Sequence, residues 1–152
     1  KKIIYSFIFI LIVSGVVYLH FFRNNENVTI NKLDETAKSY LDEVLPRIIA
    51  NWTIEELNKQ ASPRLLEHLK QQHKFANELS KLNQLGKLRN YRGAEGYVKT
   101  VETINNRRTT LGYYKAVADY EKASIYLTIK LIWVDNQWRI LEFKANTPVR
   151  LR

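Results

Sequence analysis

Ser124-Ile125-Tyr126-Leu127-Thr128-Ile129-Lys130-Leu131-Ile132-Trp133-Val134 decides the reading of the second half of the chain. Ile125, Leu127, Ile129, Leu131 and Trp133 fall on one side of an extended backbone, and Ser124, Tyr126, Thr128 and Lys130 on the other. A period of two over this length predicts a strand with one buried face. Working outward, Asp135-Asn136 predicts a tight turn, and residues 138–145 predict the returning strand. On the other side, residues 109–120 alternate as well, with Tyr114, Ala116, Ala118 and Tyr120 against Tyr113, Lys115, Val117 and Asp119. Residues 88–104 read as a further strand, joined to its neighbour by a turn at Asn105-Asn106.

Before Gly86 the period is helical. Leu33, Ala37, Tyr40, Leu41, Val44, Leu45, Ile48 and Ile49 recur at three and four residues, the stripe of an amphipathic helix opening near Asn31. Pro46 lies inside it and is expected to kink or divide it. Trp52 and Thr53-x-x-Glu56 predict a restart through a capping box. Ser62-Pro63 predicts another, with Ser62 as cap, Pro63 at the first helical position, and Leu65, Leu66 and Leu69 on the buried side. A last stretch carries Phe75, Leu79, Leu82 and Leu85 and stops at Gly86. Helices first and a meander of strands afterwards predict an α+β domain, with helices packed on one face of an antiparallel sheet of about four strands.

Residues 3–22, IIYSFIFILIVSGVVYLHFF, hold no acid, lysine or arginine. Twenty helical residues span about 30 Å, the thickness of the hydrocarbon core. The run is too long for the core of a cleaved signal and ends in bulky residues without a small-residue cleavage site, so an uncleaved signal anchor is expected. Lys1 and Lys2 before it put the N-terminus in the cytoplasm and the domain on the periplasmic or extracytoplasmic side. The expected organisation is a transmembrane anchor over 1–23, a juxtamembrane linker over 24–30, the α+β domain over 31–148 and a basic tail over 149–152. With lysine at position 1 and no methionine in the chain, at least one preceding residue is expected.

The 152 residues carry 24 Lys and Arg against 15 Asp and Glu, a formal charge of +9. Such a balance directs attention to acidic partners, namely anionic lipid headgroups, an acidic protein face or nucleic acid. Lys87, Arg89, Arg92, Arg107 and Arg108 form a candidate contact patch at one end of the sheet, with Lys70 and Lys74 near and Tyr91 and Tyr97 interleaved. A domain held outside the cytoplasm rarely meets nucleic acid, so the bilayer, its anionic headgroups and neighbouring membrane proteins are the expected partners. The absence of cysteine excludes disulfides, thiolate metal sites and cysteine nucleophiles. His68 and His73 are five apart, not the four that would put both on one helix face, and His20 lies in the apolar run, so no metal or other cofactor is expected. Asn27-Val28-Thr29 and Asn51-Trp52-Thr53 match the glycosylation sequon, which matters only in a eukaryotic secretory setting.

Ala61-Ser62-Pro63-x-Leu65-Leu66, Phe75-x-x-x-Leu79-Ser80-x-Leu82, Leu85-Gly86-x-Leu88-x-x-Tyr91-x-Gly93, Tyr120-Glu121 and Trp138-x-Ile140-x-x-Phe143 together resemble small bacterial domains of the nuclear-transport-factor-two-like superfamily, also called cystatin-like or ketosteroid-isomerase-like. The resemblance covers most of residues 30–148. It implies a strongly curved sheet around a long N-terminal helix, forming a cone with an internal pocket, and Tyr91, Tyr114, Tyr120 and Trp133 would then be candidate pocket-lining residues. The superfamily holds isomerases, dehydratases, transport factors and assembly subunits, among them single-span subunits of type IV secretion channels. Isomerase chemistry needs a general base beside a hydroxyl donor. Asp119 and Glu121 are the nearest acids, but alternation puts Asp119 on the face opposite Tyr114 and Tyr120. No catalytic residue is therefore assigned. The expected function is a non-catalytic accessory or scaffold subunit of a bacterial envelope membrane complex. A small-ligand-binding or isomerase-like domain using the cone is the alternative, and a type IV secretion-type channel subunit a further one.

Overall fold

The computed structural model describes residues 30–71, 73–102 and 107–146. Within them α1 (residues 30–51), α2 (Ile54–Gln60), α3 (Pro63–Gln71) and α4 (His73–Asn83) precede β1 (Leu88–Glu102), β2 (Arg108–Tyr120), β3 (Ser124–Val134) and β4 (Gln137–Asn146). The expected membrane span, the turn at Asn105-Asn106 and the basic tail lie outside the described residues, as do the side chains of His73, Lys74 and Phe75. Among the described residues no helix is long and apolar enough to cross a membrane.

The helical stripe is buried as its spacing predicts: Ala37, Leu41, Val44, Leu45, Ile48 and Ile49 all belong to the core. Removing a Leu or Ile side chain of this kind from water contributes roughly 1.5–3 kcal/mol. Pro46 does not divide the helix, which runs without interruption through it. A proline removes the donor that would meet the carbonyl four residues earlier. Here that carbonyl belongs to Asp42, an exposed position where solvent can reach it.

After α1 the chain turns at Trp52, whose φ of 46° is left-handed. The capping box expected at Thr53 does not form. Thr53 occupies the N-cap position without a side-chain bond, and Glu56 pairs with Lys59 instead of reaching back. Ser62 does cap α3, its Oγ accepting the Leu65 N–H at 3.3 Å. Gly86, with φ of 86°, closes the connection from α4. Its missing Cβ leaves room for Glu121, whose Oε2 would otherwise lie 2.5 Å from that carbon.

The sheet is an antiparallel meander in the order β1-β2-β3-β4. Asp135 and Asn136, both at positive φ, make the tight turn between β3 and β4. Alternation sets the faces: Tyr114, Ala116, Ala118, Tyr120, Ile125, Leu127, Ile129 and Leu131 are all buried against the helices. β4's outer edge is covered by the chain itself, since Ala61 bridges Ile140 and the Ser62 N–H donates to the Ile140 carbonyl at 2.8 Å. Arg139 adds a bond from Nη1 to the Lys59 carbonyl at 2.8 Å, fixing α2 to the same strand.

Candidate functional site

Three of the candidate pocket-lining residues, Tyr91, Tyr114 and Tyr120, fasten the sheet to α1. The Tyr114 hydroxyl donates to Asp34, at both its carboxylate and its carbonyl. Tyr91 donates to Asp42 Oδ1 at 3.0 Å, and Tyr120 to the Ile49 carbonyl at 2.7 Å. Residues 34, 42 and 49 lie about two turns apart, so one side of the helix receives all three. Burial is the main cause that raises the pKa of each of these phenols, and the neighbouring Asp34 and Asp42 add to it for Tyr114 and Tyr91. Each is a neutral donor already engaged. Trp133 packs edge-on against Trp138, with ring centroids 5.0 Å apart, and the Trp138 indole N–H donates to Thr36 Oγ1 at 3.1 Å.

The two acids considered for catalysis are engaged elsewhere. Asp119 stands on the outer face, the one turned away from α1, and accepts a two-pronged contact from Arg92 at 2.8 and 2.9 Å. Ser124 Oγ donates to the same carboxylate at 2.6 Å. The Arg92 guanidinium, then Ser124, lower the Asp119 carboxyl to about 2. Glu121 accepts the Lys87 backbone N–H at 3.2 Å and so joins the α4–β1 connection to the β2–β3 turn. Among the described residues no group of three or more His, Asp or Glu is placed to hold a metal ion.

The candidate basic patch is not brought together. Leu88 pairs with Tyr120 and Glu102 pairs with Arg108, so Lys87 and Arg89 stand at one end of the β1–β2 pair and Arg107 and Arg108 at the other. At about 3.3 Å per residue the two groups are roughly 40 Å apart. Arg92 lies between them and is tied to Asp119.

The register gathers a different set on the outer face. Tyr97 stacks on Tyr113 with centroids 5.5 Å apart, and Lys99 and Lys130 flank the Tyr113 ring at 4.9 and 5.4 Å. Cations this close to an exposed ring contribute roughly 0.5–1 kcal/mol each. Tyr97 and Tyr126 are the most exposed large apolar side chains among the described residues, at 55% and 58%. Arg92, Glu95, Lys115, Val117, Tyr126 and Thr128 border an open basin of about 520 Å³ on this face. A second hollow of about 500 Å³ lies between α3, α4 and β4, floored by Leu65, Leu69, Leu79, Leu82 and Phe143. Neither hollow takes a residue from α1. Alternation in β3 already turns Tyr126 and Lys130 outward, but the meeting of Tyr97, Tyr113, Lys99 and Lys130 depends on cross-strand register. Asp34 and Asp42 carry no local signal that marks them as tyrosine partners.

No family model, curated protein or solved structure matches the chain.

Proposed function

We propose that this chain is a non-catalytic accessory or scaffold subunit of a bacterial envelope membrane-protein complex. Residues 3–22 anchor it, and the domain, of nuclear-transport-factor-two-like kind on the extracytoplasmic side, docks on a partner through the outer face of its sheet. The observation that carries this reading is the division of labour between the two faces. One is packed by α1, with the hydroxyls of Tyr91, Tyr114 and Tyr120 bound to that helix. The other presents Tyr97, Tyr113 and Tyr126 among Lys99, Lys115 and Lys130. Tyrosine is among the side chains that protein interfaces favour, and lysines around it suit a partner with an acidic face. The order of elements, a long helix, shorter helices and then a four-stranded meander, supports the superfamily resemblance. An isomerase-like reading ranks second, because it needs a free hydroxyl beside a carboxylate base.

The test is purification of the full chain from its native membranes in mild detergent. Membrane proteins should be recovered with it in fixed stoichiometry. Tyr126→Glu combined with Lys130→Glu should abolish that recovery with the circular dichroism unchanged. A chain that purifies alone, or a partner indifferent to the double variant, overturns the reading.

A further inference from the structure

β1 is an edge strand. Its one neighbour in the sheet is β2, and among the described residues no strand lies on its other side, whereas β4's free edge is covered by Ala61 and Ser62. Open edges invite strand addition, and folded domains blunt them with bulges or with their own side chains. The first half of β1 is blunted in this way. Its register shifts between Leu88 and Asn90 and again between Tyr91 and Ala94, and Asp42 accepts the Ala94 N–H at 3.1 Å. From Ala94 to Glu102 the pairing with β2 is regular.

The Asp42 bond also sets the phase of the edge. Ala94 points its N–H away from β2, so in a regular strand Gly96, Val98 and Thr100 do the same. Glu95, Tyr97 and Lys99 bond toward β2 and carry their side chains on the outer face, where Tyr97 meets Tyr113 and Lys99 lies over the same ring.

We propose that this segment pairs with a second copy of itself, antiparallel about a two-fold axis at Tyr97, joining two sheets into one. Edge pairing across a two-fold is antiparallel, and the same patch serves both copies. With the axis at Tyr97, Gly96 of each copy faces Val98 of the other, each with its backbone groups turned outward, for about six new backbone hydrogen bonds. Tyr97 then stands opposite its own copy. Glu95 stands opposite Lys99 of the second chain, and Lys99 opposite its Glu95. Aromatic and opposite-charge pairs across strands are the ones that stabilise a register. The neighbouring registers do not match. An axis at Glu95 or Lys99 sets like charges against each other, and an axis at Gly96 or Val98 gives neither charge its opposite. The 55% exposure of Tyr97 in a single copy is the apolar surface this pairing covers. The axis stands perpendicular to the sheet, so α1 lies on the same face in both copies.

The chain contains no cysteine, so introduced single cysteines report without background. Tyr97→Cys in the full detergent-solubilised chain should form a disulfide-linked dimer on mild oxidation. A non-hydrogen-bonded antiparallel pair holds its Cα atoms about 4.5 Å apart, within disulfide range. Glu95→Cys should not cross-link, because the two copies of residue 95 lie four positions apart, about 13 Å. In the Tyr97→Cys background, Lys99→Glu sets glutamate against glutamate at two places and should slow cross-linking about tenfold. Adding Glu95→Lys should restore the rate, with circular dichroism unchanged throughout. Absence of the Tyr97→Cys dimer, equal cross-linking from Glu95→Cys, or no rescue by the charge exchange overturns the pairing. Partner docking fails independently: loss of co-purification in the Tyr126→Glu and Lys130→Glu variant leaves this cross-link in place.

Discussion

Gly96 sits where β1 passes so close to β2 that a Cβ built on it would lie 2.0 Å from the Tyr113 carbonyl oxygen and 2.8 Å from Tyr114 Cα. Both are backbone atoms, so relief means moving a strand and not turning a side chain. Gly96→Ala should lower stability by about 1–3 kcal/mol, the cost of overpacking a closely packed site. The measurement is the denaturant midpoint, which should fall with the slope of the transition unchanged. Nothing in the sequence around Gly96 marks it out, because the oxygen that excludes a side chain belongs to the next strand. The same holds for Asp34. By spacing it is a polar residue on a helix with an apolar stripe, and it becomes the acceptor for Tyr114 only when β2 is laid against α1.

Among the elements, β1 is held to α1 by one carboxylate oxygen. Asp42 Oδ1 accepts both the Tyr91 hydroxyl and the Ala94 N–H. The bulge at Arg92 and Gly93, where Gly93 takes a φ of 87°, lets Tyr91 reach α1 while Arg92 reaches Asp119 on the outer face. Asp42→Ala should cost about 1–3 kcal/mol, since two donors lose their acceptor. Amide exchange at Ala94 should quicken, while the amides of β3 keep their protection. Unchanged exchange at Ala94 would contradict the link. Element boundaries were largely legible from pattern: the strand expected at 124–134 is found with those bounds, the one at 109–120 begins one residue earlier, and the one at 138–145 extends one residue further at each end. Pattern misjudged two places that depend on surroundings. Pro46 is carried inside α1, and Thr53, with the extended backbone usual at an N-cap, makes no side-chain capping bond.

In the whole molecule, four of the seven tyrosines among the described residues join helices to sheet or to one another. Burial is the largest cause that raises all four phenols: Tyr40 to about 12, against a weaker opposing pull from Arg139, and Tyr91, Tyr114 and Tyr120 further still. A group whose folded pKa lies above its unfolded value adds stability that is complete below the unfolded value, here about 10. That stability is lost as pH rises through the folded value. The melting temperature should therefore hold up to about pH 10 and then fall steeply, with part of the tyrosinate absorbance appearing only as the circular dichroism collapses. Smooth titration of all nine phenols in a chain that stays folded would refute this. Local sequence alone specifies the α+β class, the order of its elements, the Asp135-Asn136 turn, the Ser62 cap and which side of β2 and of β3 is apolar. Each of these follows from the local sterics and periodicity of neighbouring residues. The tertiary structure decided that the tyrosines bind α1, that the basic residues are divided between two ends of the sheet, and that an aromatic and lysine face is left outside. Those outcomes rest on strand register and on contacts between residues 49 to 80 positions apart, such as Tyr91 with Asp42 and Tyr114 with Asp34, which no local period encodes.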